Sequence, residues 1–329
     1  MRVIENPHAG RGLGDALGPV PRPSVDAAAV ERLLALCPRA GATPLRAAPE
    51  LAARAGIGEL RLKDETGRMG LGAFKALGAA YAIARDAEAA RDGGDWASAL
   101  AGRVYVAASA GNHGLSVAAG ARVFGARAVI LLSESVPAAF AARLRAAGAE
   151  TRRAGTVYAE SMAEAEALAA REGWTLLSDS SWPGYLEAPH RVMEGYLAMA
   201  REAGAALEAA PTHLLLQAGV GGMAAAVAAE ARRRWGRGPR IVIVEPEAAP
   251  ALAESLLAGR VVETSGPVSA MGRLDCKTPS LIALAGLARD ADLCATVSEA
   301  EAAAAASALA EAGVATTPSG AAGDRKSVV

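Results

Sequence analysis

Aromatic side chains make up only 4% of the 329 residues, and cysteine occurs three times, at Cys37, Cys276 and Cys294. Three scattered thiols cannot build a disulfide framework or a paired-cysteine metal site, so they read as small buried hydrophobes in a reducing, cytoplasmic setting. Histidine is also scarce. His8, His113, His190 and His213 form no i, i+4 pair and no zinc-type spacing, so no metal is expected. No apolar run approaches the roughly 18 residues a membrane span needs, and the start Met1-Arg2-Val3-Ile4-Glu5-Asn6-Pro7-His8 has no leader-like apolar segment. A soluble protein is expected. The net charge of -1 gives no pull on nucleic acid or a charged surface, and Arg232-Arg233-Arg234-Trp235-Gly236-Arg237 reads as the solvated end of an Ala-rich helix, where cations suit the dipole. Lysine is the rarest charge: 34 Lys+Arg include lysine only at 63, 75, 277 and 326.

What is present is strand followed by helix, repeated. Short unalternated aliphatic runs at 103–107, 127–132, 174–177, 213–216, 240–244 and 293–297 suit strands buried on both faces. Helical stretches lie between them at 115–124, 138–147, 159–172, 185–202, 223–234 and 299–311. This predicts an α/β protein with mostly parallel sheets, and the length suits about two domains.

One lysine stands in a chemically suggestive place. A strand at 59–63 runs into Thr66-Gly67-Arg68-Met69-Gly70-Leu71-Gly72, and a helix is predicted over 73–85, which puts Lys75 in its first turn. There the positive end of the helix dipole disfavours an ammonium, which suits a nucleophilic amine meeting an aldehyde. A lysine seen alone would ordinarily be an exposed helix residue. Two loops change the weighing. Ser109-Ala110-Gly111-Asn112-His113-Gly114 and Ala218-Gly219-Val220-Gly221-Gly222-Met223 each leave a strand and open a helix, where free backbone N–H groups receive a carboxylate or phosphate. The second loop has a rival reading. Gly219-x-Gly221-x-x-Ala224, with Glu245 ending the next strand, matches the nicotinamide-dinucleotide fingerprint of an oxidoreductase.

Together, Lys63-Asp64-Glu65-Thr66 with Phe74-Lys75-Ala76, the loops at 109–114 and 218–223, and Val244-Glu245-Pro246 resemble the fold-type II pyridoxal-phosphate enzymes, the tryptophan-synthase-β class. More narrowly, residues 70–82, 178–196, 214–225 and 271–280 resemble the diaminopropionate ammonia-lyase family. The resemblance implies a two-domain α/β fold: a larger domain of 1–75 and 196–329, and a smaller one of 76–195. It implies pyridoxal 5'-phosphate bonded to Lys75, Asn112 beside the cofactor's phenolic oxygen, and a phosphate cradle of Gly219, Val220, Gly221, Gly222 and Met223. Ser109, Ala110, Gly111 and His113 would line the pocket for the substrate carboxylate, Asp179 would abstract a proton, and Thr317 would meet the pyridine ring. The implied activity is elimination of the β-substituent of a small amino acid, 2,3-diaminopropionate first, by a homodimer. Ala110 stands where that family usually carries an aspartate, so the loop resembles that of threonine and serine dehydratases, the nearest alternative. A cysteine-synthase-like β-replacement enzyme comes next.

The last residues, Asp324-Arg325-Lys326-Ser327-Val328-Val329, are unlike the Ala-rich sequence before them and match what a common sequencing-adapter stretch encodes in frame. The expectation is that native sequence stops near Gly323 and that a final strand, which in the family faces the pyridine nitrogen, is missing.

Overall fold

A computed structural model describes residues 2–323; the tail at 324–329, with its expected non-native ending, lies outside the described residues. The strands are β1 (Arg2–Glu5), β2 (Leu45–Ala47), β3 (Arg61–Lys63), β4 (Val104–Ala108), β5 (Arg127–Leu132), β6 (Glu150–Arg153), β7 (Thr175–Leu176), β8 (His213–Gln217), β9 (Arg240–Pro246) and β10 (Leu293–Val297). Among the described residues they form a sheet of order β1-β10-β9-β8, a sheet of order β6-β5-β4-β7 and the pair β2-β3. The second sheet is wholly parallel, and the first is parallel apart from β1, which runs antiparallel to β10. Strand β4 is buried at every position, and β5 and β9 at all but their first residue, as parallel strands covered on both faces must be.

The helices are α1 (Ala28–Ala35), α2 (Pro49–Ala55), α3 (Lys75–Ala90), α4 (Asn112–Val123), α5 (Ala138–Ala146), α6 (Tyr158–Glu172), α7 (Glu187–Gly195), α8 (Leu197–Ala205), α9 (Gly222–Trp235), α10 (Ala251–Ala258), α11 (Leu281–Asp290), α12 (Glu299–Glu311) and α13 (Pro318–Ala321). Helix α3 packs on α4 and α7, while α9 packs on α8 and α11. The α3–α7 crossing is close because two glycines meet there. A Cβ on Gly78 would stand 2.7 Å from the Val192 carbonyl, and one on Gly195 2.7 Å from that of Leu77. Among the described residues no helix is long and apolar enough to cross a membrane.

Three predicted elements are corrected. The helix expected over 185–202 is two helices meeting at Tyr196, whose φ of -72° and ψ of -12° bend the chain without unwinding it. Residues 182–185 fold back instead, with Trp182 and Tyr185 bridged and stacked at 4.4 Å between ring centroids. The strand expected over 59–63 shortens to β3, and the helix after it begins at Lys75 and runs on to Ala90.

Candidate active site

Lys75 is the first residue of α3, and the segment before it is fixed by charge. Asp64 accepts the Thr66 backbone N–H at 3.0 Å, closing a local turn. The fully buried Arg68 donates to Glu65 at 2.7 Å, to Glu202 of α8 at 2.6 Å and to the Gly41 carbonyl at 3.1 Å, while Lys63 also reaches Glu202 at 2.7 Å. Burial opposes the Arg68 charge, yet its bonds to Glu65 and Glu202 hold its pKa above the ordinary range. This clamp sets the direction in which the chain enters α3. Gly70 and Gly72, at φ of 71° and 79°, then make the final turn.

The Lys75 amine is ion-paired to the Asp179 carboxylate, which comes from the loop after β7. Burial opposes both charges, but each group stabilises the other: Lys75 is raised above the ordinary lysine range and Asp179 is held below the usual carboxylate range. The expectation drawn from the helix dipole is thereby reversed for the protein alone. The position at the helix start is as predicted, but a carboxylate in contact outweighs a partial charge on the backbone, and the amine is an ammonium.

The Asp179 loop is held on both sides. Ser178 N–H donates to the Tyr185 hydroxyl at 3.0 Å, and that hydroxyl donates to the Leu176 carbonyl at 2.9 Å. The hydroxyls of Ser181 and Ser280 lie 2.7 Å apart, and Ile282 N–H donates to Ser181 at 2.9 Å. A carboxylate on such a loop needs little reorganisation to stay in place.

Two helix starts supply anion-receptive amides. Helix α9 begins at Gly222 behind Gly221, with no side-chain cap. Gly219 has to be glycine: a Cβ there would stand 2.9 Å from the Cys276 sulfur and 3.0 Å from the Arg273 carbonyl. Gly221 has φ of 95°, and its Cβ would meet Leu252 and Ala283 at 3.0 Å. Helix α4 begins at Asn112 behind Gly111, again uncapped, and a Cβ on Gly111 would meet nothing within 4 Å. Ser109 accepts the Gly111 N–H at 3.3 Å, and the Asn112 side-chain amide makes no hydrogen bond among the described residues.

His113 is 4% exposed, and its Nε2 donates to the Leu177 carbonyl at 2.8 Å. Thr317 is exposed, accepting from Arg273 at 3.0 Å and capping α13 through Gly320 N–H, with no hydrogen bond to Lys75 among the described residues. Glu245 is wholly buried and accepts the backbone N–H groups of Leu252 at 2.8 Å and Ala253 at 2.9 Å. It caps α10, so the acid that the dinucleotide reading reserved for a ribose is already engaged. Sequence reasoning missed Cys276 and Tyr196. Cys276 read as a plain buried thiol, yet it lies against Gly219, and burial followed by the Asp179 charge pushes its pKa up to about 12. Tyr196 sits at the α7–α8 bend, near Lys75.

This set fits a phosphorylated aldehyde. Lys75 supplies the amine, the uncapped α9 start with its glycine loop suits a dianion, and two buried polar atoms without partners, His113 Nδ1 and Tyr196 Oη, belong to the same group of side chains. Among the described residues, no cluster of His, Cys, Asp or Glu is placed to hold a metal ion.

Comparison with known proteins gives the same answer. The chain is 33% identical over 265 residues to the diaminopropionate ammonia-lyase of Salmonella typhimurium, a match spanning 74% of this chain and 66% of that relative. It is 32% identical over 176 residues to a serine dehydratase-like protein of Rattus norvegicus, covering 54% of this chain and 51% of that one. The structure superposes on Escherichia coli diaminopropionate ammonia lyase in complex with D-serine with a TM-score of 0.87 at 27% identity, over 98% of this chain and 84% of the other. Residues 36–323 match the pyridoxal-phosphate dependent enzyme family, and the chain belongs to it.

Proposed function

We propose that the protein is a pyridoxal-phosphate dependent ammonia-lyase that converts 2,3-diaminopropionate and one water to pyruvate and two ammonium ions. The observation that carries this is the Lys75–Asp179 pair between two uncapped helix starts, in a chain similar to diaminopropionate ammonia-lyases. Lys75 would hold the cofactor aldehyde, Gly219 to Met223 its phosphate, and Asn112 its phenolic oxygen, while the amides after Ser109 and Ala110 would take the substrate carboxylate. When bound, pyridoxal phosphate supplies the electron sink that stabilises negative charge at the substrate α-carbon.

The protein's own contribution is positional and acid–base. Burial alone would raise Asp179, and the Lys75 charge is what holds it down. Once Lys75 is no longer a free ammonium, that restraint weakens and Asp179 becomes the stronger base, ready to accept the α-proton. The two helix starts hold both ends of the reacting molecule without mobile charge, which fixes the direction of the breaking bond. The division into residues 76–195 and the remainder belongs to the same proposal: every strand of the β6-β5-β4-β7 sheet lies inside that segment and every strand of the β1-β10-β9-β8 sheet outside it. A cytoplasmic homodimer is also part of it and rests on the family resemblance.

A dehydratase acting on serine or threonine is the second reading, favoured by Ala110 in the loop and by the similarity to the rat serine dehydratase-like protein. Release of keto acid and ammonium from both diaminopropionate isomers, serine and threonine separates the two. Fastest turnover of diaminopropionate, with two ammonium ions per keto acid, is expected. Faster turnover of serine or threonine would establish the dehydratase, and reaction of the D-isomer alone would contradict Asp179 as proton acceptor.

A further inference from the structure

Tyr196 is 2% exposed, and its hydroxyl has no hydrogen-bond partner among the described residues. A buried phenol left in that state is destabilising relative to one that is satisfied, whereas a phenylalanine of the same shape would carry no such cost. The hydroxyl therefore calls for a partner that arrives only in another state of the site.

The surroundings say where that partner comes from. The Tyr196 ring packs edge-on against Phe74 at 5.2 Å between centroids, and the Lys75 amine lies 5.3 Å from the centroid of the same Phe74 ring. The slot for the phenol is opened by the missing side chain of Gly78, and Gly222 lies in ordinary contact with the other edge of the ring. A Cβ on Gly78 of α3 would stand 2.7 Å from Tyr196 Cε1, and one on Gly222, the first residue of α9, would stand 3.9 Å from Cε2. The hydroxyl end of the ring thus projects between the start of the helix that carries Lys75 and the start of the helix behind the glycine loop. The phenol is pushed up to about 12, by burial first, with Lys75 acting against that and Asp179 adding to it, so it is a neutral donor that senses both charges of the ion pair. Seen from the amine, Tyr196 follows burial and Asp179 among the groups that act on Lys75.

We propose that Tyr196 is the second resting place of the Lys75 amine: its hydroxyl hydrogen-bonds the lysine nitrogen when that nitrogen turns away from Asp179, and so presents it for bonding to the cofactor aldehyde. The two positions form a switch of partner: the carboxylate holds the charged amine, and when the amine turns away its proton stays on Asp179 and the neutral phenol donates to the uncharged nitrogen. This rests on Lys75 as the cofactor lysine, since the bond concerned is the one its nitrogen makes to the aldehyde carbon with loss of one water.

The test is the rate at which cofactor-free protein takes up pyridoxal phosphate, followed by the absorbance change of the aldehyde, in wild type and in Tyr196→Phe, with pyridoxal lacking the phosphate as a second probe. The proposal expects Tyr196→Phe to slow uptake of both aldehydes at least tenfold, with thermal unfolding at or above the wild-type midpoint because the orphan hydroxyl is gone. Loss confined to the phosphorylated aldehyde would place the phenol on the phosphate and overturn the proposal, and so would unchanged uptake of both. If Tyr196→Phe proves unstable, Tyr196→Met fills the slot without a donor and is held to the same outcomes. Failure of wild type to bond either aldehyde would reject the cofactor lysine itself, a result distinct from any difference between variants.

Discussion

At the scale of single residues, the site turns on two opposed effects at Asp179. Burial drives its carboxyl upward as the largest single effect, and the adjacent Lys75, followed by His113 and local hydrogen bonds, together bring it down. Removing the lysine charge should therefore reverse the direction of the shift. In Lys75→Ala the Asp179 carboxyl is predicted to titrate above the ordinary aspartate value of about 3.9, measured by carboxyl NMR. A value still below that range would show that some other group holds it. Because Asp179 is depressed and Lys75 raised, the pair stabilises the fold above the unfolded carboxylate range, loses that contribution as pH falls through the folded Asp179 value, and loses it again as pH rises through that of Lys75. Asp179→Asn should retain cofactor while turnover falls about 10²–10⁴-fold, the usual share of a positioned base. Full turnover would remove Asp179 from proton transfer. Lys75 was legible in the sequence because lysine is so rare here and because a glycine-broken loop leads into its helix. Its pairing with Asp179, 104 residues later, was not, since no local pattern reports a contact at that separation. Tyr196 and Cys276 escaped notice for a related reason: the tyrosine carried no local signal and the cysteine read as a small buried hydrophobe, and only the packing of Gly78 and Gly219 against them shows otherwise.

Elements position these residues through their ends. Strand β9 delivers Glu245 to the amides of α10, and burial pushes that carboxyl up to about 8, with the two backbone N–H groups acting against the shift. Its folded value lies above its unfolded one, so its protonation favours the fold most below about pH 4.3, and that contribution fades as pH climbs toward 8. Glu245→Ala should cost about 1–3 kcal/mol by leaving two buried donors unpaired, and should flatten the fall in thermal midpoint between pH 5 and 8. An unchanged pH profile would contradict the assignment. In the loop before α9, Gly221→Ala forces a side chain into a left-handed residue against Leu252 and Ala283. Strain of about 1–2 kcal/mol predicts about five- to thirtyfold loss of cofactor affinity by absorbance titration. Unchanged affinity would show that the cradle tolerates the shift. The elements most legible in sequence were those whose local signals agree. Strands β5 and β10 are mostly apolar and match their predicted ends, and α12 carries a Ser298–Glu301 capping box and begins where expected. Strand β6, Glu-Thr-Arg-Arg, gave no apolar signal because it is an exposed edge, and β2 is three residues held by β3.

At the scale of the molecule, the parallel sheets place loops 109–114 and 218–223 at carboxyl ends of strands, and the Arg68 cluster ties the segment before Lys75 to α8. Arg68→Ala strips a buried cation from Glu65 and Glu202. A loss of about 3–5 kcal/mol is expected, read as a lowered thermal midpoint, and a wild-type midpoint would mean Lys63 suffices. The α/β class was legible from the repeated strand–helix pattern, whereas this buried ion cluster was not, because its members lie up to 139 residues apart and each looks like a surface charge in sequence. The central claim, that Lys75 bonds the cofactor aldehyde, is tested most directly by incubating the protein with pyridoxal phosphate, trapping with borohydride and mapping the modified peptide by mass spectrometry. With so few lysines in the chain the result is unambiguous: the account predicts the label on Lys75 alone, and a label on Lys63 or Lys277 with Lys75 unmodified would contradict it.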